Sequence, residues 1–521
     1  MGSVMGYPGV FGVLVLVVIG VWVAAGSTAV RAATEPAPRI VGMYVHQHWP
    51  YRHPYAARTW TVEDWRGYLD GLRRLGFNTV LVWPMLETMP DPLTPSDERF
   101  LKRLATVVDI AHRDFGMRVY LALCPNVGVD DRAAGLETFE DRRFFSCDVR
   151  VNPADTQAVR ELMDRRERLL RMLSAVDGVS IIDSDPGGYP GSTNQEFVEL
   201  LGAHRRMLDR VRPGIELVYW MHAGWLGYNR FYQTGVLTFS TDEENLDVLT
   251  RLMRAAPEPW GLANGLHLAE QLGIADRVIS YNYGRIEGEP SFPLTNFGGN
   301  YAWEGGAAPG PRGVMGNAQT HCVQLPNTFA FARGALGQPV AESDYVDFAD
   351  RVLPGLGPAV VQAWTALAGE EPSEMRTNAE AMQAASFREH PGGPLAGLLF
   401  GSASRFLSDL AMMLRMRAAY VELKDPNTPP DRARVRAFAE TAGAWQAAHG
   451  YENSWWWPDL EETLRRIGSP EVNAVLDTQM RPFDDPGPLD VTPFEYVANH
   501  LRNAESYTPR LLATLRQAAG L

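Results

Sequence analysis

From residue 39 onward, the sequence alternates between short apolar runs of strand length and longer segments with the periodicity of an amphipathic helix. The apolar runs are hydrophobic at consecutive positions, which is typical of strands covered on both faces of a parallel sheet. Eight such strand–helix units within roughly 300 residues favour a closed TIM-type (β/α)8 barrel over an open doubly wound sheet. The predicted strands are 39–49, 78–84, 118–126, 179–182, 215–225, 235–241, 277–285 and 312–321.

The segments between the strands carry helix start and stop signals. In the first of them, 61–76, Thr61 occupies the N-cap, Asp64 the capping-box position and Gly76 the end of the helix. A Gly-rich aromatic loop, 286–311, replaces the seventh helix. Further helices are predicted at 95–116, 155–176, 193–214 and 242–256, with a short one at 263–273.

Beyond about residue 340 the strand signals stop, and helical periodicity with Pro and Gly breaks takes over. A chain of 521 residues is too long for one ordinary hydrophobic core, so two folded domains are expected. The fold class predicted is therefore α/β. A (β/α)8 catalytic barrel occupies residues 34–339, and an all-α C-terminal domain occupies residues 340–521.

Residues 1–33 contain an apolar run followed by small residues, which is typical of a signal peptide with cleavage near Ala32 or Ala33. The residues before this run include no Lys or Arg, so an uncleaved N-terminal anchor is the alternative. No later segment has 18 uninterrupted apolar residues. We expect an exported protein that is secreted, periplasmic or held at the cell envelope, with no other membrane contact.

Three cysteines leave two interpretations open for an exported chain. Either one pair forms a disulfide bond, with Cys124 and Cys147 closing a modest loop, or Cys124, Cys147 and Cys322 are all buried thiols. No CxxC or HExxH spacing occurs, so we predict no metal site, and no cofactor is indicated.

The net charge of −14 argues against nucleic acid or an anionic membrane as a partner, although a local basic patch around Arg142 and Arg143 is an alternative. The sequence does not indicate an oligomeric state.

Polar and aromatic side chains collect at the carboxyl ends of the predicted strands, where barrel enzymes have their active sites. Aromatic faces can stack on the CH groups of a sugar ring, and imidazole and amide groups can bind its hydroxyls. We therefore predict a carbohydrate substrate. The candidate substrate-binding residues are His46, His48, Trp83, Asn126, Trp220, His222, Tyr281, Asn282, Tyr283, Gln319 and His321.

The stretch DGVSIIDSDPGGYPGS, residues 177–192, supplies the candidate catalytic carboxylates. Asp183 and Asp185 follow the fourth strand, and a Pro-Gly-Gly loop separates them from the next helix. In an extended chain, side chains two residues apart point to the same side, about 6.5–7 Å from each other. We predict Asp185 as the general acid, Asp183 as its supporting carboxylate and Glu287 as a candidate second carboxylate.

The segment DSDPGGYPG resembles the strand-four segment of barrel glycoside hydrolases that carry a helical C-terminal domain, such as the α-glucuronidases and the β-N-acetylhexosaminidase-like enzymes. The resemblance covers about fifteen residues, and the acid position holds Asp where the α-glucuronidases have Glu. It implies that Asp185 is the general acid and that Asp183 is the polar or substrate-orienting residue beside it.

The resulting hypothesis is an exported glycoside hydrolase that uses carboxylate acid/base catalysis on an oligo- or polysaccharide. The first alternative is a non-catalytic barrel that binds carbohydrate through its aromatic residues. The second is a metal-dependent barrel hydrolase that uses His46, His48, Asp183 and His321.

Overall fold

In this computed structural model, the residues described are 39–47, 57–142, 148–184, 187–234, 238–255, 258–281, 309–318, 321–322, 324–428, 430–449, 458–478 and 509–521. Among these residues, no helix is both long enough and apolar enough to cross a bilayer.

Eight parallel strands close into a barrel in the order β1-β10-β9-β8-β7-β6-β3-β2. Two further strands, β4 (Val127–Val129) and β5 (Asp148–Arg150), form a separate antiparallel pair. The closed strand order confirms the predicted (β/α)8 fold. The barrel strands are β1 (Ile40–Val45), β2 (Thr79–Val82), β3 (Arg118–Leu123), β6 (Gly178–Ile182), β7 (Glu216–Trp220), β8 (Trp260–Ala263), β9 (Val278–Tyr281) and β10 (Gly313–Ala318).

Helices surround the barrel and continue after it. The first begins as predicted, because Thr61 and Asp64 form a capping box in which each side chain accepts from the other's backbone N–H. The helices are α1 (Val62–Arg74), α2 (Pro95–Phe115), α3 (Asp131–Ala134), α4 (Thr156–Arg171), α5 (Asn194–Val211), α6 (Trp225–Thr234), α7 (Asp242–Ala255), α8 (Leu266–Gln271), α9 (Leu325–Ala335), α10 (Glu342–Val352), α11 (Gly357–Ala368), α12 (Pro372–Ser386), α13 (Ala403–Lys424), α14 (Arg432–His449), α15 (Pro458–Arg465), α16 (Pro470–Leu476) and α17 (509–518).

The predicted sixth strand, 235–241, is wrong: residues 238–240 are not in a strand, and β8 takes the sixth place in the barrel. Sequence periodicity missed β8 because it has only four residues and includes Gly261. A Cβ atom at Gly261 would lie 2.4 Å from Nη1 of Arg312. The glycine therefore makes room for a charged side chain inside the barrel, which a strand pattern does not reveal.

An ion pair closes the amino-terminal end of the barrel. Arg312 Nη1 lies 2.6 Å from Oε1 of Glu216, and Arg312 Nη2 lies 3.1 Å from Oε2. The hydroxyl of Tyr120 donates to Oε2 of the same carboxylate at 2.7 Å. The carboxyl ends of the strands form the opposite end of the barrel, which we call the mouth.

Both cysteines in the described residues, Cys124 and Cys322, are buried free thiols. Cys124 and Cys322 therefore take no part in a disulfide bond, and Cys147, the partner considered for Cys124, lies outside the described residues. Burial raises the pKa of both thiols well above its usual value.

The C-terminal helical region packs against the barrel through a close backbone contact with α1. A Cβ atom at Gly397 would lie 2.2 Å from the carbonyl oxygen of Gly67, and one at Gly71 would lie 2.5 Å from the side chain of Leu398. Only glycine lets the two backbones approach this closely. The boundary at residue 340 remains a prediction.

Replacement of Gly397 by alanine is expected to destabilise the protein by about 1–3 kcal/mol, because the added methyl group collides with backbone rather than with a movable side chain. Thermal or urea unfolding of the full chain measures the effect. Gly443→Ala is the matched control, since its Cβ atom would meet nothing nearer than 3.8 Å and the residue lies inside α14. A Gly397→Ala protein as stable as the wild type would contradict the close packing.

Candidate active site

Four aromatic side chains from four strands meet inside the barrel. The Trp220 ring lies 4.7 Å from the ring of Tyr281 and 5.5 Å from that of Tyr44, and Tyr44 in turn stacks 6.5 Å from Trp83. All are at most 7% exposed. We call Tyr44, Trp83, Trp220 and Tyr281 the aromatic lumen group. Three of its members are predicted site residues, and the structure brings them together.

Tyr44 was missed by the sequence analysis because it lies within an apolar strand rather than at its end. The strand period was the available signal, since side chains two residues apart share a face and His46 is a predicted mouth residue. The ring of His46 lies 4.0 Å from that of Tyr44. His46 is half-buried at the end of β1 and extends the aromatic surface towards the mouth.

Asp183 faces the helices rather than the lumen. The Tyr219 ring packs edge-on against Phe197 of α5 at 5.5 Å, which places Tyr219 on the helix side of β7. The Tyr219 hydroxyl donates to Oδ2 of Asp183 at 3.0 Å, and the backbone N–H of His222 donates to Oδ1 at 3.1 Å. Asp183 therefore joins the ends of β6 and β7 from outside the lumen.

Burial raises the pKa of the Asp183 carboxyl above its usual range, since the side chain is fully enclosed. His222, the hydroxyl of Tyr219 and that of Ser184 favour the ionised form and oppose this shift. These contacts hold the loop that carries His222. The geometry gives Asp183 a positioning role.

Ser184 and His222 form a hydrogen-bonded pair at the mouth. The hydroxyl oxygen of Ser184 lies 2.9 Å from Nδ1 of His222 and accepts the backbone N–H of Ala223 at 3.2 Å. Ser184 is fully buried, whereas His222 is exposed. The serine therefore fixes the orientation of an imidazole whose Nε2 lies on the far side of the ring. An imidazole held in this way can donate to or accept from a bound hydroxyl.

Two other predicted site residues have structural partners. The Nδ2 group of Asn126 donates to the carbonyl oxygens of Val151 and Gly188, at 2.9 and 2.8 Å, and so braces the loop after β6. His321 is buried away from the lumen, with Nδ1 2.8 Å from the hydroxyl of Tyr68 on α1. Neither side chain joins the aromatic lumen group.

Six predicted site residues lie outside the described part of the chain. They include the proposed general acid and the candidate second carboxylate. These residues are His48, Asp185, Asn282, Tyr283, Glu287 and Gln319.

Asn264 is a mouth residue that the sequence analysis did not find, because the sixth strand had been placed elsewhere. Its Oδ1 accepts the backbone N–H of Tyr281 at 2.8 Å, and its Nδ2 donates to the carbonyl oxygen of Met221 at 3.2 Å. The side chain thus supplies hydrogen bonds in place of the strand ladder where β8 ends. It connects Met221, in the loop after β7, with Tyr281 at the end of β9. Its φ of 68° lies in the left-handed region, which Asn tolerates better than most residues.

Glu87 is a second buried carboxyl group near the mouth that had not been singled out. Its Oε1 accepts the backbone N–H of Cys124 at 2.5 Å, and its Oε2 has no hydrogen-bond partner. Burial raises the pKa of this carboxyl, although the nearby Arg166 guanidinium opposes the shift. An uncharged carboxyl group is consistent with the missing partner.

The metal-dependent alternative predicted that Asp183 and His321 lie together with His46 and His48. Within the described ranges, which leave out His48, no group of three or more His, Cys, Asp or Glu side chains is placed to hold a metal ion. Asp183 and His321 are each occupied by hydrogen bonds to different helix-side partners.

His321 is expected to make the protein less stable in mild acid. Burial lowers its pKa from 6.5 to about 3, so the folded state resists protonation while the unfolded state accepts it. This destabilisation is absent above pH 6.5 and grows as the pH falls towards 3. At pH 5 it amounts to about 2 kcal/mol.

The corresponding test compares unfolding of the wild type and His321→Gln at about pH 7.5 and about pH 5, which lie about one unit or more on either side of the pKa of a free histidine. The variant is expected to lose less stability between the two pH values than the wild type. His267→Gln is the matched control, because His267 is largely exposed on α8. Equal losses in the wild type and His321→Gln would refute the assignment.

Comparison with known proteins gives structural alignments at low sequence identity. No protein-family pattern and no curated protein sequence matches the chain. Among solved structures, a GH138 enzyme targeting pectin rhamnogalacturonan II is 8% identical, with 89% of this chain and 67% of that chain covered and a TM-score of 0.43. An O-GlcNAc hydrolase of Thermobaculum terrenum is 10% identical, with 92% and 96% covered and a TM-score of 0.41.

An N-acetylneuraminate lyase of Proteus mirabilis also aligns, at 10% identity over 73% of this chain and 99% of that chain, with a TM-score of 0.33. These similarities transfer no residue roles, and barrels of this kind host unrelated reactions. The closed strand order itself shows the fold, which is a TIM barrel followed by helices.

Proposed function

We propose that this protein is a glycoside hydrolase that binds its carbohydrate substrate at the mouth of the barrel. The observation that carries the proposal is the aromatic lumen group together with the oriented, exposed imidazole of His222. Aromatic faces and fixed hydrogen-bonding groups at the carboxyl ends of barrel strands suit a sugar ring and its hydroxyls.

Hydrolysis of a glycosidic bond requires an acid that protonates the leaving oxygen and a second carboxylate that assists the attack at the anomeric carbon, with water supplying the new hydroxyl group. Asp185 is proposed as the acid, because it directly follows the Ser184 that orients His222. Glu287 is proposed as the second carboxylate, on the chain segment that follows β9. Asp183 is proposed to position the His222 loop, and the apolar N-terminal segment supports export as the proposed localisation.

The test incubates the purified full chain with a panel of aryl glycosides and cell-envelope and plant polysaccharides, and analyses the products. Release of a reducing sugar that survives treatment with a chelator supports the proposal. Binding without hydrolysis of any substrate supports the non-catalytic carbohydrate-binding barrel instead. Activity that disappears with the chelator and returns with a divalent metal supports the metal-dependent alternative.

A further inference from the structure

We propose that Phe239 and His222 form a sugar-binding subsite on the rim of the barrel, outside the lumen. This inference rests on the proposed function and names the surface on which a longer oligosaccharide continues. Its occupant is one ring of the carbohydrate chain, stacked on Phe239 and hydrogen-bonded to His222.

Phe239 is a solvent-exposed aromatic residue at the mouth of the barrel. It is 66% exposed, in a segment that precedes α7. Because the ring remains in solvent, its apolar face is free to stack on the CH face of a bound sugar.

Ser240, the residue after Phe239, is anchored to the loop that carries His222 and to the start of α6. The N–H of Ser240 donates to the carbonyl oxygen of Ala223 at 2.8 Å, and the hydroxyl of Ser240 accepts the N–H of Gly227 at 2.7 Å. Ala223 and Ser240 form this backbone hydrogen bond. His222 is next to Ala223 in the chain, and Phe239 is next to Ser240. The backbone that carries Phe239 is therefore fixed close to the loop that carries His222.

Arg230 secures the same segment from α6. Its Nη2 donates to the carbonyl oxygen of Phe239 at 3.0 Å, and its Nε donates to the hydroxyl of Thr238 at 3.0 Å. The guanidinium also pairs with Glu244 at 2.7 Å. Since Glu244 already balances the charge of Arg230, the subsite suits an uncharged sugar ring better than an acidic one.

Phe239 and His222 together match the apolar face and the hydroxyl-bearing edge of a pyranose ring. The apolar CH face can lie on the phenyl ring, and a hydroxyl at the edge of the sugar can bond to the His222 imidazole, whose other nitrogen is held by Ser184. A rim position of this kind contacts a sugar beyond the one in the lumen. Its contribution is therefore expected to depend on the length of the oligosaccharide.

The experiment measures binding and hydrolysis by the full chain with neutral oligosaccharides of increasing length, drawn from cello-, xylo-, manno- and chito-series. Phe239→Ala is expected to raise KM and Kd by about 3- to 10-fold for the longer oligosaccharides, and by less for the shortest. Phe239→Trp retains an aromatic face and is expected to bind like the wild type. Phe387→Ala is the matched control, because Phe387 is 82% exposed but lies after α12 in the helical region.

The outcomes separate this inference from the proposed function. Wild-type KM and Kd values for Phe239→Ala at every length, or an equal change in Phe387→Ala, would overturn the subsite alone. Length-dependent binding without hydrolysis by the wild type would support the subsite and contradict the glycosidase activity. The absence of carbohydrate binding by the wild type across the series would overturn both.

Discussion

Replacement of Asp185 by asparagine is expected to lower kcat on the true substrate by about 10²- to 10⁴-fold while leaving thermal stability close to that of the wild type. The carboxamide has nearly the same size but cannot transfer a proton to the leaving oxygen. Asp185 directly follows Ser184, whose hydroxyl orients the exposed His222. The measurement is kcat with the substrate found in the glycoside panel, alongside a thermal unfolding curve.

Asp183→Ala is the comparison that distinguishes the two carboxylates. Removing the Asp183 carboxylate leaves the buried Tyr219 hydroxyl and the His222 N–H without their acceptor. This loss is expected to lower the free energy of unfolding by about 1–3 kcal/mol. Asp183→Ala is therefore expected to lower the unfolding temperature, as Asp185→Asn is not. Undiminished kcat in Asp185→Asn would reject Asp185 as the general acid.

Arg142→Leu is expected to cause the largest loss of stability among the changes considered, about 3–5 kcal/mol. Arg142 and Asp97 form an ion pair in which both side chains are fully buried, with Nη1 to Oδ1 at 2.8 Å and Nη2 to Oδ2 at 3.2 Å. Removing the guanidinium leaves the carboxylate enclosed without its countercharge. Asp97 also accepts the N–H of Thr94, so the capping box of α2 is affected too.

Urea or thermal unfolding of the full chain measures this loss. Arg74→Leu provides the control, because the Arg74–Asp70 pair is exposed and solvent screening leaves exposed ion pairs with little effect on stability. Similar stabilities for Arg142→Leu and Arg74→Leu would show that the buried pair is not a major contributor. Arg142 is thus a structural residue, and the alternative of a basic surface patch around Arg142 and Arg143 has no support from this side chain.

The barrel could be predicted because each strand and helix carries its own local signal. The helix cap at Thr61 depends on residues only three positions apart, and the apolar runs of β1 and β3 are visible without reference to any other segment. The sixth barrel strand, β8, is the exception, because it carries no such local signal. Its Gly261 is explained by Arg312, a residue distant in the sequence whose side chain lies in the same lumen.

The candidate site could be predicted in part, for the same reason. Strand ends predicted Trp83, Trp220 and Tyr281 as mouth residues, and in the structure their rings group with Tyr44 inside the barrel. Tyr44, which joins them, lies within a strand, and no end signal marks it. His321 follows the last strand as a mouth residue would, but its partner is a tyrosine on α1.

The sequence by itself determined the alternation of strands and helices, the closed barrel that eight such units form, and the end of the barrel at which polar and aromatic residues collect. Only the tertiary structure decided which way those residues face. Asp183 and Ser184 are adjacent in the chain, yet Asp183 bonds to Tyr219 on the helix side while Ser184 bonds to His222 at the mouth. The physical reason is that a strand sends successive side chains to opposite faces, and only the neighbouring elements determine which face is the lumen.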